Sequence, residues 1–447
     1  MVHISEVINR YLRDFERFEK DRGLKRPGWV RSLRSAAIAH FAELGFPTTR
    51  NEEWKYTSLA RLLGIPFSPA PVKTNGLTAD SLVRVGLDRS DGSRLVFING
   101  FHSPELSCVE SLPGGVRVGS LSAVLSSTPS LTETHLAQYA GYEGQAMVAL
   151  NTAFMEDGAF VYVPAGQIVE EPIYLLFIAA GARQPTVSYP RNLVVAGPAS
   201  RATIIECFTA LEADVYFTNA VTEIVVGEDA GVDYYKLERE SKGAFHIGRL
   251  EAQLGRGSRF NSQSITLGGS LVRNDVNAVL DGEGSECTLN GLYLAKDAQH
   301  MDNHTRIDHR KPQCISRELY KGVLDGKGRG VFNGKVYVNK AAQHTDAKQT
   351  NKNLLLSEGA SIDTKPQLEI YADDVKCTHG STIGRLDEDA LFYLRARGLS
   401  VAAARNLLTY AFAGELIGKI SVEPMRALVD NLVRTGLRQE MQGGQRL

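Results

Sequence analysis

The sequence predicts a mainly β chain, a parallel β-helix core held between α-helical regions at its two ends. Three observations lead there. From about Gln145 to Asp374 the chain is built of short apolar strands and Gly-containing turns, with almost no 3.6-residue periodicity. Within that stretch a loose unit recurs: an apolar pair, a small turn with Gly, a polar residue, then an alternating strand. Helical spacing of apolar residues is confined to the ends.

Taken in order, Ile8, Leu12, Phe15 and Phe18 fall on one helical face among charged residues, and Gly23 and Pro27 stop that helix. A second helix is expected from about Trp29 to Leu44, ending at Gly45-Phe46-Pro47. Pro66, Pro69, Pro71 and Asn75-Gly76 mark a linker, so residues 1–76 are expected as an N-terminal helical domain.

The core with its lead-in is expected over 77–384. Copies of the unit stand at Val225-Val226-Gly227, Leu254-Gly255-Arg256-Gly257, Val279 to Gly284, Val323 to Gly328 and Leu354 to Gly359. Gly231 to Gly257 is 26 residues and Gly257 to Gly284 is 27, whereas Gly284 to Gly328 is 44, which suggests an insertion. A repeat of this length with strands and no helix suits a solenoid, in which each coil buries its apolar side against the next. A two-sheet jelly roll is the rival that the unequal spacings leave open.

After Arg385 helical spacing returns through Leu391, Leu394, Leu407, Leu408 and Phe412, with Ser400 placed as an N-cap. A last helix is expected after Pro424, to about Leu437, with a frayed tail at Gln442-Gly443-Gly444-Gln445; residues 385–447 form the C-terminal helical domain.

A net charge of −1 and a pI near 6.8 offer no electrostatic grip on nucleic acid or an anionic membrane. The longest apolar run, Ile173 to Ala182, is half of the ~20 residues that a membrane helix needs. The five cysteines contain no CxxC pair, and the first residues turn charged at once, so a reduced, cytoplasmic setting is expected.

Three places carry chemistry-bearing residues. His300, His304 and His309 with Asp302 and Asp308 have the residue types of a metal site. On an extended chain, however, His300 and His304 lie about 13 Å apart, too far for one ion, and packing with hydrogen bonding is the expected role. In Cys377-Thr378-His379-Gly380 a thiol and an imidazole would point the same way on a strand. Structurally inert pairs of this kind are the commoner case. The Gly-rich run Asp325 to Lys335 mimics a phosphate loop, but its spacing is wrong and Val336 stands where Ser or Thr should bind Mg²⁺. With no nucleophile elbow either, no hydrolytic or energy-coupling engine is expected, and the chain is not expected to be an enzyme.

Several blocks, in order along nearly the whole chain, resemble the SufB/SufD family of the SUF iron–sulfur cluster assembly system. They are Asn51 to Thr57, Gln299 to Thr305, Ser316 to Leu324 continuing into Val331 to Lys335, and Ala372 to Gly380 continuing through Phe392 to Gly398. The resemblance is to the SufD branch. Where SufB proteins carry a Cys-Gly-Ala-His-Thr-like motif, this chain, lined up on Thr364 and Pro366, has Ala360 in place of the thiol.

The resemblance implies a right-handed parallel β-helix between helical domains, and a scaffold subunit that pairs with SufB and binds the ATPase SufC. It implies a transient iron–sulfur cluster or iron at the SufB seam. His379 with Cys377 would serve there, His300 and His304 being weaker candidates. Reduced flavin is associated with the family complex, and nothing is expected to bind tightly to this chain alone. SufC docking is implied for the C-terminal helices, around Arg395, Arg397, Leu407, Leu408 and Phe412. A homodimer is the expected state without SufB. Two alternatives stand beside this reading, a SufB-type paralogue carrying the cluster itself and a stand-alone polysaccharide-active β-helix enzyme. The latter would need paired carboxylates at matching strand positions, and none is evident.

Overall fold

A computed structural model describes residues 4–22, 26–71, 77–84, 92–181, 184–212 and 214–443. Gly23, the Asn75-Gly76 turn with the proposed boundary at 76, and residues 444–447 of the tail lie outside them.

Two sheets of 11 and 10 strands, parallel but for one antiparallel pair at the N-terminal end of each, face one another, and successive long strands alternate between them. Each strand pairs with the strand one coil later. Leu271–Leu280 runs in register with His300–His309, and that strand with Arg329–Val338. The result is a β-solenoid of about eight coils, from Ala159–Val163 to Lys376–Gly384. The parallel pairing excludes the jelly roll. Alternate residues point into the slot between the sheets, where aliphatic and aromatic side chains stack coil upon coil. Phe97, Phe177 and Phe208 stack in a file with ring centroids 4.8 Å apart at each step.

The insertion expected after Gly284 is absent. One corner of the coil is turned by a residue of positive φ, at Asp229, Gly257, Gly284, Gln313 and His344. Gly284 to Gln313 is an ordinary step of 29 residues. Gly328 follows Gly326 at the opposite corner, so the interval of 44 joined two different corners. Gln313 and His344 hide the period because they adopt a conformation in which Gly is the usual residue.

The middle region also contains a helix that periodicity does not reveal, Ala146–Phe154. Every residue from Met147 to Phe154 is buried, so no polar face marks it. Helices Ile4–Arg22 and Gly28–Leu44 pack on it through Phe15, Phe18 and Phe41. The buried Arg34 ties the group by donating to Glu19 at 3.0 Å and to the Met155 carbonyl at 2.5 Å.

At the other end Ser400 caps Val401–Ile417, its hydroxyl accepting from the Ala403 N–H at 3.2 Å. Glu423–Gly443 runs about a turn and a half past the expected stop at Leu437. Leu416, Ile417, Met425, Val429 and Val433 bury against the outer face of the 10-stranded sheet, at Ile265, Leu292 and Val323. Each such side chain contributes roughly 1.5–3 kcal/mol. The apolar sides of these two helices therefore cover the solenoid itself. No described helix is long and apolar enough to cross a membrane.

Candidate functional site at the open end of the solenoid

The last coil consists of Ser361–Ile370 and Lys376–Gly384, each the terminal strand of its sheet. Strands before it are largely buried, whereas neither of these contains a fully buried residue. A parallel coil bonds to a neighbour on each side, and among the described residues nothing follows this one, so its outer backbone edge is open.

Cys377 and His379 sit on that final strand, in register with Ala347 and Gln349 of Asp346–Leu355. Ala347 and Gln349 are buried between the sheets, so Cys377 and His379 share the inward face, as the strand alternation predicted. Their surroundings differ. Cys377 is half-buried beside Val375 and Ala347, and burial pushes its thiol above the ordinary range, leaving a protonated, weakly nucleophilic group. His379 is exposed at the mouth of the slot.

Beneath His379 the slot turns polar. The Gln349 amide donates to Glu318 Oε2 at 2.8 Å, one coil further in. Burial raises the Glu318 carboxyl to about 7, against the opposing pull of Thr305 and Gln349. Alongside, Ser381 meets the Thr364 hydroxyl at 3.0 Å, and Thr364 donates to Asn351 at 3.0 Å. Deeper still, Lys236 Nζ lies 2.9 Å from Glu238, 3.0 Å from His246 and 2.6 Å from Asn274, a closed network with every charge partnered. Periodicity could not find these groups, because their strands carry polar residues on both faces.

His300 and His304 belong elsewhere. They face outward on the 11-stranded sheet and clamp the segment around Trp54 to the solenoid. His300 Nε2 lies 2.8 Å from the Thr57 hydroxyl, which donates to Asp302 at 2.6 Å. Asp302 also holds Arg273 at 2.9 Å and His304 at 3.0 Å, and the Arg273 guanidinium stacks 3.9 Å over the Trp54 ring. Burial alone would lower the His304 pKa, but Asp302 and Glu53 hold it up at about 9. His309 points inward instead, 2.9 Å from Ser316. Among the described residues no group of three or more His, Cys, Asp and Glu side chains could hold a metal ion. In this conformation His300 and His304 are held by Thr57, Asp302 and Glu53, and His309 by Ser316. A groove of about 280 Å³ beside Trp54 is lined by Met147, Ile247, Arg249 and Asp275. Its arginine is held by Glu251 at 2.9 Å, so it offers no free cation.

On the C-terminal helices Arg395, Arg397 and Leu407 are exposed, beside Phe392 at 73% and Tyr393 at 58% exposure. Leu408 and Phe412 are half-buried, and Phe412 packs on the solenoid with Lys321 Nζ 4.6 Å over its ring. The exposed large apolar side chains of these helices thus include Phe392, Tyr393, Val401 and Leu407.

The molecule is thus a solenoid with an open final coil, an imidazole at its mouth and exposed apolar side chains on its terminal helices. Comparison with known proteins gives the family. Residues 177–412 match the family described as "SUF system FeS cluster assembly, SufBD core domain", and residues 6–175 match "SufBD protein N-terminal region". A SufBD family iron–sulfur cluster assembly protein of Synechocystis is 36% identical over 408 residues, covering 88% of each chain. The iron–sulfur cluster assembly protein SufD of Escherichia coli is 34% identical over 405 residues, 90% of this chain and 91% of its own. SufD of Bacillus subtilis is 25% identical over 433 residues, 94% of this chain and 95% of its own. The chain belongs to the SufBD family of iron–sulfur cluster assembly proteins and is SufD-like.

Proposed function

We propose that this chain is the SufD-type subunit of a cytoplasmic SUF assembly. Its open coil pairs with SufB, its terminal helices hold the ATPase SufC, and it supports formation of a nascent iron–sulfur cluster at the SufB seam without catalysing a reaction itself. The cluster is cargo that passes on, and any reduced flavin belongs to the whole complex. Alone, the chain pairs its open coil with a second copy.

The observation that supports this most is the placement of His379 on the unpaired final strand. A neighbouring solenoid that continued the sheets would satisfy that strand's backbone and bring its own residues up to the imidazole. Neutral imidazole is a ligand for iron and a proton carrier near neutral pH. Cys377, half-buried and protonated, is the lesser contributor.

The test is complementation of a strain lacking the native protein, with pull-down of SufB and SufC as the control for assembly. His379→Ala is expected to lose complementation while the complex still forms, and Cys377→Ala to be milder. Full complementation by His379→Ala, or failure only because the complex no longer forms, removes the chemical role.

A further inference from the structure

Glu318, Gln349 and His379 occupy successive rungs of one inward-facing row, each the register partner of the next. Neighbouring strands lie roughly 4.8 Å apart, so side chains on such a row stack in contact. The row has a direction. Glu318 is buried and accepts from Gln349 Nε2 at 2.8 Å. Above pH 7, where Glu318 is ionised and can only accept, that bond fixes which end of the amide faces inward, because only the NH₂ can donate to it. The amide carbonyl, Gln349 Oε1, is left facing away from Glu318. It is buried and has no hydrogen-bond partner among the described residues.

The slot is shaped for this amide. Across the interior stands Gly334, where a Cβ would fall 2.3 Å from Gln349 Nε2. Gln349 itself is 1% exposed, so water does not readily supply the missing donor. The next rung outward is His379.

We infer that Gln349 is a positioning residue for His379: when the exposed ring turns inward, this unpartnered carbonyl accepts one imidazole N–H and so presents the other ring nitrogen, with its lone pair, to the open end of the coil. This rests on the reading of His379 given above and deepens it. A histidine that binds a metal commonly donates its second N–H to a fixed acceptor, which sets the tautomer and the ring direction. Here the acceptor is held by a carboxylate two coils in from the mouth, and neither group touches the cargo.

The experiment uses the full chain labelled with ¹⁵N-histidine, the His379 ring signals being identified by their loss in His379→Ala. The parent is expected to show a single neutral tautomer at His379. Gln349→Leu should give the mixture typical of a free imidazole, and Gln349→Glu, which keeps an acceptor oxygen, should restore the single tautomer. A parent ring that is already mixed, or one unchanged by Gln349→Leu, overturns the inference. Should Gln349→Leu not fold, Glu318→Leu carries the same comparison. It removes the acceptor that anchors the amide, and an unchanged tautomer there overturns the inference equally. In the assembled complex Gln349→Leu should slow cluster formation about tenfold with SufB and SufC still captured; an unchanged rate also counts against it. If His379→Ala complements fully, the role of His379 falls while the tautomer result still stands or fails on the ring signals.

Discussion

Asp302 accepts a 2.6 Å hydrogen bond from the hydroxyl of Thr57, 245 positions earlier in the chain. The same carboxylate neutralises Arg273 and His304, so one buried group latches the N-terminal segment to the solenoid. Asp302→Ala would leave Arg273 with Asp275 alone and His304 with Glu53 alone, and should cost about 1–3 kcal/mol in urea unfolding. A loss below about 1 kcal/mol would show that the latch carries little energy.

The latch should open in alkali. His304 titrates at about 9 in the folded chain, above its ordinary 6.5. A raised pKa stabilises fully below the unfolded value and is lost as pH climbs through the folded one. That difference is worth roughly 3 kcal/mol between pH 6.5 and 9. Unfolding free energy of His304→Gln minus that of the parent should shrink across this window; a pH-independent gap contradicts the coupling.

Glu318 behaves in the same sense, in a lower pH window. Its folded pKa of about 7 lies above the ordinary 4.5, so the folded chain holds the proton more tightly than the unfolded one. Stability should fall as pH rises from 4.5 to 7, by up to about 3 kcal/mol at this site. Glu318→Gln should flatten that slope and gain relative to the parent at pH 8. Parallel pH curves for the two proteins would refute the assignment.

Truncation at Ser400 is a poor test of SufC docking, because it would strip Leu416, Val429 and Val433 from the sheet they cover. Phe392→Asp and Leu407→Asp touch exposed positions only. Each should weaken SufC capture at least tenfold and leave the melting temperature within about 1 °C of the parent. Undiminished capture by the double variant would move the docking surface elsewhere.

The strand-and-turn alternation, the terminal helices and the shared face of Cys377 and His379 were legible in the sequence, because they depend on local periods of 2 and 3.6 residues. The family blocks were legible too, but not why they belong together. Asn51 to Thr57 and Gln299 to Thr305 meet as a latch at Thr57 and Asp302, and only folding brings them into contact. The helix Ala146–Phe154 was hidden because burial on all sides erased its polar face. The regular coil through Gln313 was hidden because a non-Gly residue turns the corner.

What the sequence determined by itself was the repeating coil and the residue types at its end. Which coil lies above which, and hence that Glu318, Gln349 and His379 share one row, was decided by the tertiary structure alone. Register in a parallel solenoid is set by backbone bonds and stacked side chains between residues about 30 positions apart. A strand such as Asp346–Leu355, polar along much of its length, carries no local signal of the face it will bury.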